Sequence, residues 1–202
     1  MHNFIFDIDG TLIDTEKMYI KPLYDILVKR GYDVTYDQAA ATFGITSLDA
    51  LKQLGVTDQE TVMNEWNRLI PDYAKYLKIY NGIPESLAEL KATKRLAIAT
   101  SKDRSEFERD FTPLGINHYF NEIVTSDEVA NGKPAPDMIL KGVEKLDGTP
   151  YDTLYVGDTI YDMQAAHSAD VSFALAGWRT TADEKFMQAD YILNQPSDLL
   201  KL

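Results

Sequence analysis

The stretch Phe4-Ile5-Phe6-Asp7-Ile8-Asp9-Gly10-Thr11 decides the fold. An apolar run of the kind found in a strand buried on both faces stops at two aspartates one residue apart, followed by a glycine and a threonine. The carboxyl end of a buried strand is where open α/β sheets bind ligands, and two carboxylates so close together repel unless a cation or a proton relieves them. The stretch therefore reads as a metal-assisted site built on Asp7 and Asp9. A plain turn, with Asp9 and Gly10 supplying its backbone needs, is the competing reading. An EF-hand calcium loop is excluded, because counting from Asp7 puts Leu12 where its glycine belongs and Met18 where its last glutamate belongs.

Beyond Thr11 the pattern turns helical. Thr15 reads as an N-cap, and Ile20, Leu23, Ile26 and Leu27 recur at helical spacing up to Arg30-Gly31, with Pro22 expected to kink the helix or to start its regular part. Helical patches follow at 37–43 and 46–54. A longer helix opening at Asp58 puts Val62, Trp66, Leu69, Tyr73, Tyr76 and Tyr80 on one face, interrupted by Pro71. That tyrosine stripe reads as core packing more readily than as a substrate wall. No strand is expected between residues 15 and 80, and Asn81-Gly82-Ile83-Pro84 punctuates the end of the block. From there helices at 84–91, 103–114, 137–146 and 160–167 alternate with strands at 95–100, 123–125, 153–156 and 171–176. In the 137–146 helix Ile139, Leu140, Val143 and Leu146 are expected to face inward. This is the grammar of a Rossmann-like α/β fold, a parallel sheet with helices on both faces. The helical block, 15–81, is an insertion between the first strand and the rest of a core made of 1–14 and 82–202. Asp14 to Glu16 and Asn81 to Ile83 are its natural hinges.

Composition narrows the function. The 202 residues, 45% of them apolar, describe an ordinary globular protein. With 32 acidic against 20 basic residues and a net charge of -12, the chain repels nucleic acid and anionic membranes, so an anionic substrate depends on local positive features. The absence of cysteine excludes thiol catalysis, disulfides and cysteine metal sites. The start carries no basic n-region and its apolar stretch is broken by Asp7, so neither a signal peptide nor a membrane span is expected there; a cytoplasmic monomer is the default.

Parallel strands present their carboxyl ends on one edge, so Asp7 and Asp9, Thr100 and Ser101, Lys133, and Asp158 with Asp162 can converge. Singly each has a structural reading: Asp162 stands three residues after Thr159, the spacing of a capping box, while Thr100 and Ser101 could be N-caps and Lys133 a solvated loop residue. Together they assemble the parts for phosphoryl transfer. Asp7 and Asp158 offer hard oxygen ligands to Mg²⁺, and Lys133 offers positive charge. Thr100, with backbone N–H groups of Ser101 and of the Asp9-Gly10 turn, can cradle a phosphoryl group.

Asp7-Ile8-Asp9-Gly10-Thr11, the Thr100-Ser101 strand end, Lys133 in Gly-Lys-Pro-Ala-Pro-Asp, and Gly157-Asp158-Thr159-Ile160-Tyr161-Asp162 resemble the four ordered motifs of the haloacid dehalogenase superfamily. The resemblance spans the chain, and the block after the first motif is similar to the helical cap of its phosphoglycolate phosphatase and β-phosphoglucomutase branch. It implies a Mg²⁺-dependent phosphatase acting on a small phosphorylated substrate, phosphoglycolate-like, a sugar phosphate or a nucleotide, through an aspartyl-phosphate. Asp7 would be nucleophile and metal ligand. Asp9 would be general acid and then base, its carbonyl on the metal. Gly10, Thr100, Ser101 and Lys133 would hold the phosphoryl group, Asp158 would complete the metal site, and Asp162 would hold Lys133 or a metal-bound water. Dehalogenation does not fit, since those relatives lack the second aspartate, and no cap lysine singles itself out for a phosphonatase Schiff base. A sugar-phosphate mutase is the closer rival, but those relatives carry Glu-Asp where this chain has Gly157-Asp158, and Gly44-Ile45-Thr46-Ser47 offers no basic residue for a second phosphate. A catalytically silent binding protein is the third reading, opposed by the intact paired carboxylates. Phe43-Gly44 and Ala176-Gly177-Trp178 are shared with relatives of several specificities. His2, His118 and His167 lie outside the motifs and receive no chemistry.

Overall fold

The computed structural model describes all 202 residues. The chain opens with β1 (Asn3–Phe6), in which Phe4 and Phe6 enter one apolar cluster and Ile5 another, on opposite faces of the sheet, as the period of two in a strand requires. After the Asp7–Leu12 loop comes β2 (Ile13–Asp14), then α1 (Glu16–Lys29), α2 (Tyr36–Ala40), α3 (Ser47–Gln53), α4 (Gln59–Leu69), a 3₁₀ segment Ile70–Tyr76 and β3 (Lys78–Ile79). The remainder alternates as the sequence pattern predicts: α5 (Ile83–Lys91), β4 (Arg95–Ala99), α6 (Arg104–Asp110), β5 (Glu122–Val124), α7 (Asp137–Lys145), β6 (Thr153–Gly157), α8 (Ile160–Ser168), β7 (Ser172–Ala176) and β8 (Tyr191–Leu193).

Six strands form one all-parallel sheet in the order β5-β4-β1-β6-β7-β8. Phe4 is opposite Leu96 on one side and Leu154 on the other. Leu87 and Leu90 of α5 and Phe107 of α6 pack with Phe4 and Phe6 on one face; Ile139 and Val143 of α7 and Met163 and Ala166 of α8 pack with Ile5 and Tyr155 on the other. The helical block has its own core, in which Met18, Leu23 and Leu27 of α1 meet Leu51, Val62 and Trp66.

Several expectations need correction. α1 begins at Glu16 and runs past Pro22, so the proline neither starts nor ends the helix. The stripe from Val62 to Tyr80 is not one face: α4 stops at Leu69, just before Pro71, and of the tyrosines Tyr73 and Tyr80 are half-buried while Tyr76 is 40% exposed. None of the three lines the central cavity described below; Tyr73 packs against the core of the helical block and Tyr80 against that of the sheet, so core packing holds for those two. A two-residue strand does exist before residue 80: Lys78–Ile79 pairs antiparallel with Ile13–Asp14, joining the block's entry and exit. Leu140 faces solvent, and Met138 takes the inward place. The sixth strand, β8, was not foreseen; it is three residues long and carries no alternation long enough to read.

Candidate active site

The topology concentrates the site. β4, β1 and β6 are neighbours, and the residues that follow them are Thr100, Asp7 and Asp158. Ladder bonds carry on one residue past the strands, Asp7 N–H donating to the Val156 carbonyl (2.9 Å) and Thr100 N–H to that of Val124 (3.1 Å), which fixes the origins of both side chains. All three are buried.

Lys133 reaches this edge from the loop between β5 and α7. Its ammonium, fully buried, donates to Asp7 Oδ1 (2.8 Å) and Asp162 Oδ1 (2.7 Å). The second carboxylate oxygen of Asp162 accepts from the N–H and hydroxyl of Thr159 (2.9 and 2.6 Å) and from the Asp158 N–H (3.2 Å). The capping box of α8 and the hold on Lys133 are thus one side chain, one oxygen given to the cap and the other to Lys133 and the Tyr155 hydroxyl (3.2 Å). Gly157 leaves room for it: a Cβ there would fall 2.5 Å from Asp162 Cβ.

Asp7, Asp158 and Asp162 bring carboxylate oxygens within 4.8 Å of one another. Asp162 is saturated, but Asp7 Oδ2 and Asp158 Oδ2 are buried without a hydrogen bond, and the Asp9 carbonyl accepts none. Arg179 Nη1 lies 2.8 Å from Asp158 Oδ2 without the alignment of a hydrogen bond. Burial pushes the Asp7 carboxyl up to about 7 against the pull of Lys133, with Asp162 and Asp9 adding to the rise. Asp158 is likewise raised by burial, opposed by Arg179. Buried carboxylate oxygens that accept no hydrogen bond favour a cation, and these two with the Asp9 carbonyl suit a small hard divalent ion.

Asp9 turns away from this cluster. Its Oδ1 accepts from the Thr15 hydroxyl (2.5 Å) and lies 3.1 Å from the Lys102 ammonium. Thr15 therefore occupies the N-cap position of α1 without capping it. Lys102, itself buried, also donates to the Tyr19 hydroxyl (2.6 Å) and to Asp110 Oδ2 (3.3 Å), and the Tyr19 hydroxyl in turn bonds Asp110. Burial would push the Lys102 ammonium down, but the surrounding acids, Asp9 first, hold it well above the usual range.

Unengaged donors gather at the same sheet edge as Asp7. The N–H groups of Ile8, Asp9 and Ser101 have no acceptor in the protein, and the Thr100 hydroxyl accepts from Lys102 N–H (3.2 Å) while its own proton has no protein acceptor. Gly10 does not join them. Its N–H closes the loop on the Ile13 carbonyl (2.7 Å) and is not free for the phosphoryl contact expected of it. Gly10 serves differently: at φ 81° it makes the turn, and a Cβ would run into the Asp158 carboxylate and, at 2.8 Å, Arg179 Cδ. The Ser101 hydroxyl binds the Gly44 carbonyl of the helical block (2.8 Å), leaving only its backbone for a phosphoryl group.

A cavity lies between block and sheet edge. Asp7, Asp9, Ser101, Lys102 and Glu106 line it from the core; Tyr19, Phe43, Ile45, Ser47 and Trp66 are among those lining it from the block. Three residues escaped the sequence reading. Lys102 directly follows the Thr100-Ser101 strand end, a signal that was available. Glu106 sits one helical turn on, as the partner in the α6 capping box. Arg179 follows Trp178 at the end of β7; it pairs with Glu16 (2.8 Å) and lies over the Phe43 ring (4.7 Å), joining the core to the block.

With this geometry the class is settled: the chain belongs to the haloacid dehalogenase-like hydrolase family, whose model matches residues 4–176. It is 31% identical over 206 residues to the phosphoglycolate phosphatase of Aquifex aeolicus, covering 100% of this chain and 96% of that one. A provisionally named pyrophosphatase PpaX of Caldanaerobacter subterraneus is 30% identical over 210 residues, covering 98% and 92%. A Lactobacillus plantarum crystal structure, provisionally named a phosphoglycolate phosphatase, superposes with a TM-score of 0.89 at 26% identity, covering 99% and 98%. No helix is long and apolar enough to cross a membrane.

Proposed function

We propose that the protein is a Mg²⁺-dependent phosphatase that hydrolyses a small phosphorylated metabolite through an aspartyl-phosphate on Asp7. Residues 15–81 act as the cap over the site, with 1–14 and 82–202 as the core. The observation that carries the reading is the meeting of two features at one edge: buried carboxylate oxygens that accept no hydrogen bond, and N–H groups of Ile8, Asp9 and Ser101 without protein acceptors. The phosphatase names of the relatives support the same class.

Mg²⁺ held by Asp7, Asp158 and the Asp9 carbonyl would neutralise charge on the phosphoryl oxygens. The rest is done by the chain itself. Ile8, Asp9 and Ser101 N–H groups, the Thr100 hydroxyl and Lys133 bind the phosphoryl oxygens and orient phosphorus toward Asp7. An Asp7 oxygen attacks phosphorus, the bond to the leaving oxygen breaks, and Asp9 gives that oxygen a proton. Asp9, now a carboxylate, takes a proton from a water that attacks phosphorus; the bond to Asp7 breaks, and phosphate departs. Asp162 and Asp7 outweigh the burial of Lys133 and hold it as an ammonium beside the phosphoryl site.

The test is hydrolysis of p-nitrophenyl phosphate with magnesium. The wild type turns over and Asp7→Asn does not; a wild type inert on this ester and on a broad panel of phosphate monoesters overturns the reading. Free phosphate released from a hexose phosphate, as opposed to an isomerised sugar phosphate, separates it from a mutase.

A further inference from the structure

Past the phosphoryl site the cavity continues under the helical block to Glu106 and Ser47, and the charges along it are lopsided. The one cation on its lining, Lys102, has three N–H donors and three acceptors around it, Asp9, Asp110 and the Tyr19 hydroxyl. Nothing is left for a substrate anion. Glu106 is nearly buried; its Oε2 accepts from the Asp103 N–H (3.0 Å), and its Oε1 faces the Ser47 hydroxyl at 3.4 Å, long enough to leave that oxygen room for a better donor. The remaining hydroxyls of the lining are engaged, Thr42 on the Ala39 carbonyl and Ser101 on that of Gly44. Tyr19, Phe43, Ile45 and Trp66 make the other walls.

From this lining we propose that the leaving group is uncharged and bears a hydroxyl, which donates to Glu106, and that leaving groups ending in a carboxylate or a second phosphate are disfavoured. This rests on the phosphatase reading and narrows its substrate class, away from the substrates in the names of the relatives. An anionic end enters a partly desolvated seat opposite a carboxylate and finds only Lys102, whose three donors are already engaged, whereas a hydroxyl completes the coordination of Glu106.

The experiment compares monoesters matched in size. 2-Hydroxyethyl phosphate is set against phosphoglycolate, and glycerol 3-phosphate against 3-phosphoglycerate, with p-nitrophenyl phosphate as reference. The expected kcat/KM favours the neutral member of each pair by about tenfold or more, the reach of one unpaired polar or charged group in a site. Glu106→Gln, which retains an oxygen for the Asp103 N–H, is expected to shrink that ratio at least severalfold. The wild-type comparison stands even where that variant fails to fold. An anionic member equal to or better than its neutral partner overturns the inference, as does a ratio unmoved in Glu106→Gln. Turnover of p-nitrophenyl phosphate with the wrong preference defeats this inference alone; no turnover of any ester defeats the phosphatase reading with it.

Discussion

At the scale of single residues, the two aspartates of the first loop are separated by their partners more than by their positions. Asp7 is held by Lys133, and Asp9 by Thr15 and Lys102, on the side facing the block. In the proposed mechanism Lys102 is the group that fixes the Asp9 carboxylate for proton transfer to the leaving oxygen. Lys102→Met is therefore expected to lower kcat/KM for alkyl phosphates by about tenfold or more, within the span of general acid catalysis. For p-nitrophenyl phosphate, whose phenolate leaves without a proton, the loss should be much smaller. Equal losses on both esters would assign Lys102 to folding and not to Asp9.

At the scale of elements, loops carry the site and strand ends aim it. The Asp7–Leu12 loop depends on the left-handed backbone of Gly10. Gly10→Ala is expected to cost at least about 1–2 kcal/mol from the backbone alone, and more from the collision with Asp158; urea denaturation checks it. A second element, the turn after β5, is tied to α6 and α7 by Glu128, which accepts from Lys145 (2.8 Å), Arg104 (2.9 Å) and the Thr125 N–H (3.2 Å). Partial burial works against its charge, but Lys145 and the Thr125 N–H hold the carboxyl down at about 2, below its ordinary 4.5. A lowered folded-state pKa means that the unfolded chain binds the proton more readily, so this stability is present above pH 4.5 and is lost as pH falls toward 2. Glu128→Gln should lower stability by about 1 kcal/mol near pH 7, allowing for solvent screening. In paired urea titrations that deficit should close between pH 4.5 and 2; a deficit constant across that range would rule out the ionic contribution.

At the scale of the whole molecule, one sheet edge collects negative charge that nothing in the chain fully offsets. Burial raises both Asp7 and Asp158, so binding a divalent cation should stabilise the fold as a whole. At a concentration about 100 times its Kd the ion contributes roughly 2.7 kcal/mol, equivalent to a rise in Tm of about 5–10 °C for a chain of this size. Calorimetry with and without Mg²⁺ reads this directly. The shift should vanish in Asp158→Asn; an equal shift in that variant would place the ion elsewhere. The helical block shares this edge, through Tyr19 on Asp110 and Lys102, Ser101 on Gly44, and Arg179 on Glu16. Its placement is therefore electrostatically linked to the residues that surround the carboxylates.

Local chemistry made much of this legible in the chain. A buried strand must be apolar, a strand that ends in paired aspartates must compensate them, and alternating strands and helices of this spacing close into a parallel sheet. Asp7, Asp9, Thr100, Ser101 and Asp158 could be named because each follows a strand end, and Lys133 and Asp162 because they lie in the loop or helix that comes after one. What tertiary structure alone decided is how each polar atom is used. Sequence spacing does not say that Asp162 divides its two oxygens between a cap and Lys133, that the Gly10 N–H is consumed by Ile13, or that the Ser101 hydroxyl is taken by Gly44. Nor does it show the surroundings of the cavity, because Lys102, Glu106 and Arg179 acquire their roles from partners between 59 and 163 positions away, Tyr19, Asp9, Ser47 and Glu16. The sequence alone determined the strand ends and the chemistry they carry. Only the packing of the helical block against them decided what shape and charge of substrate that chemistry meets.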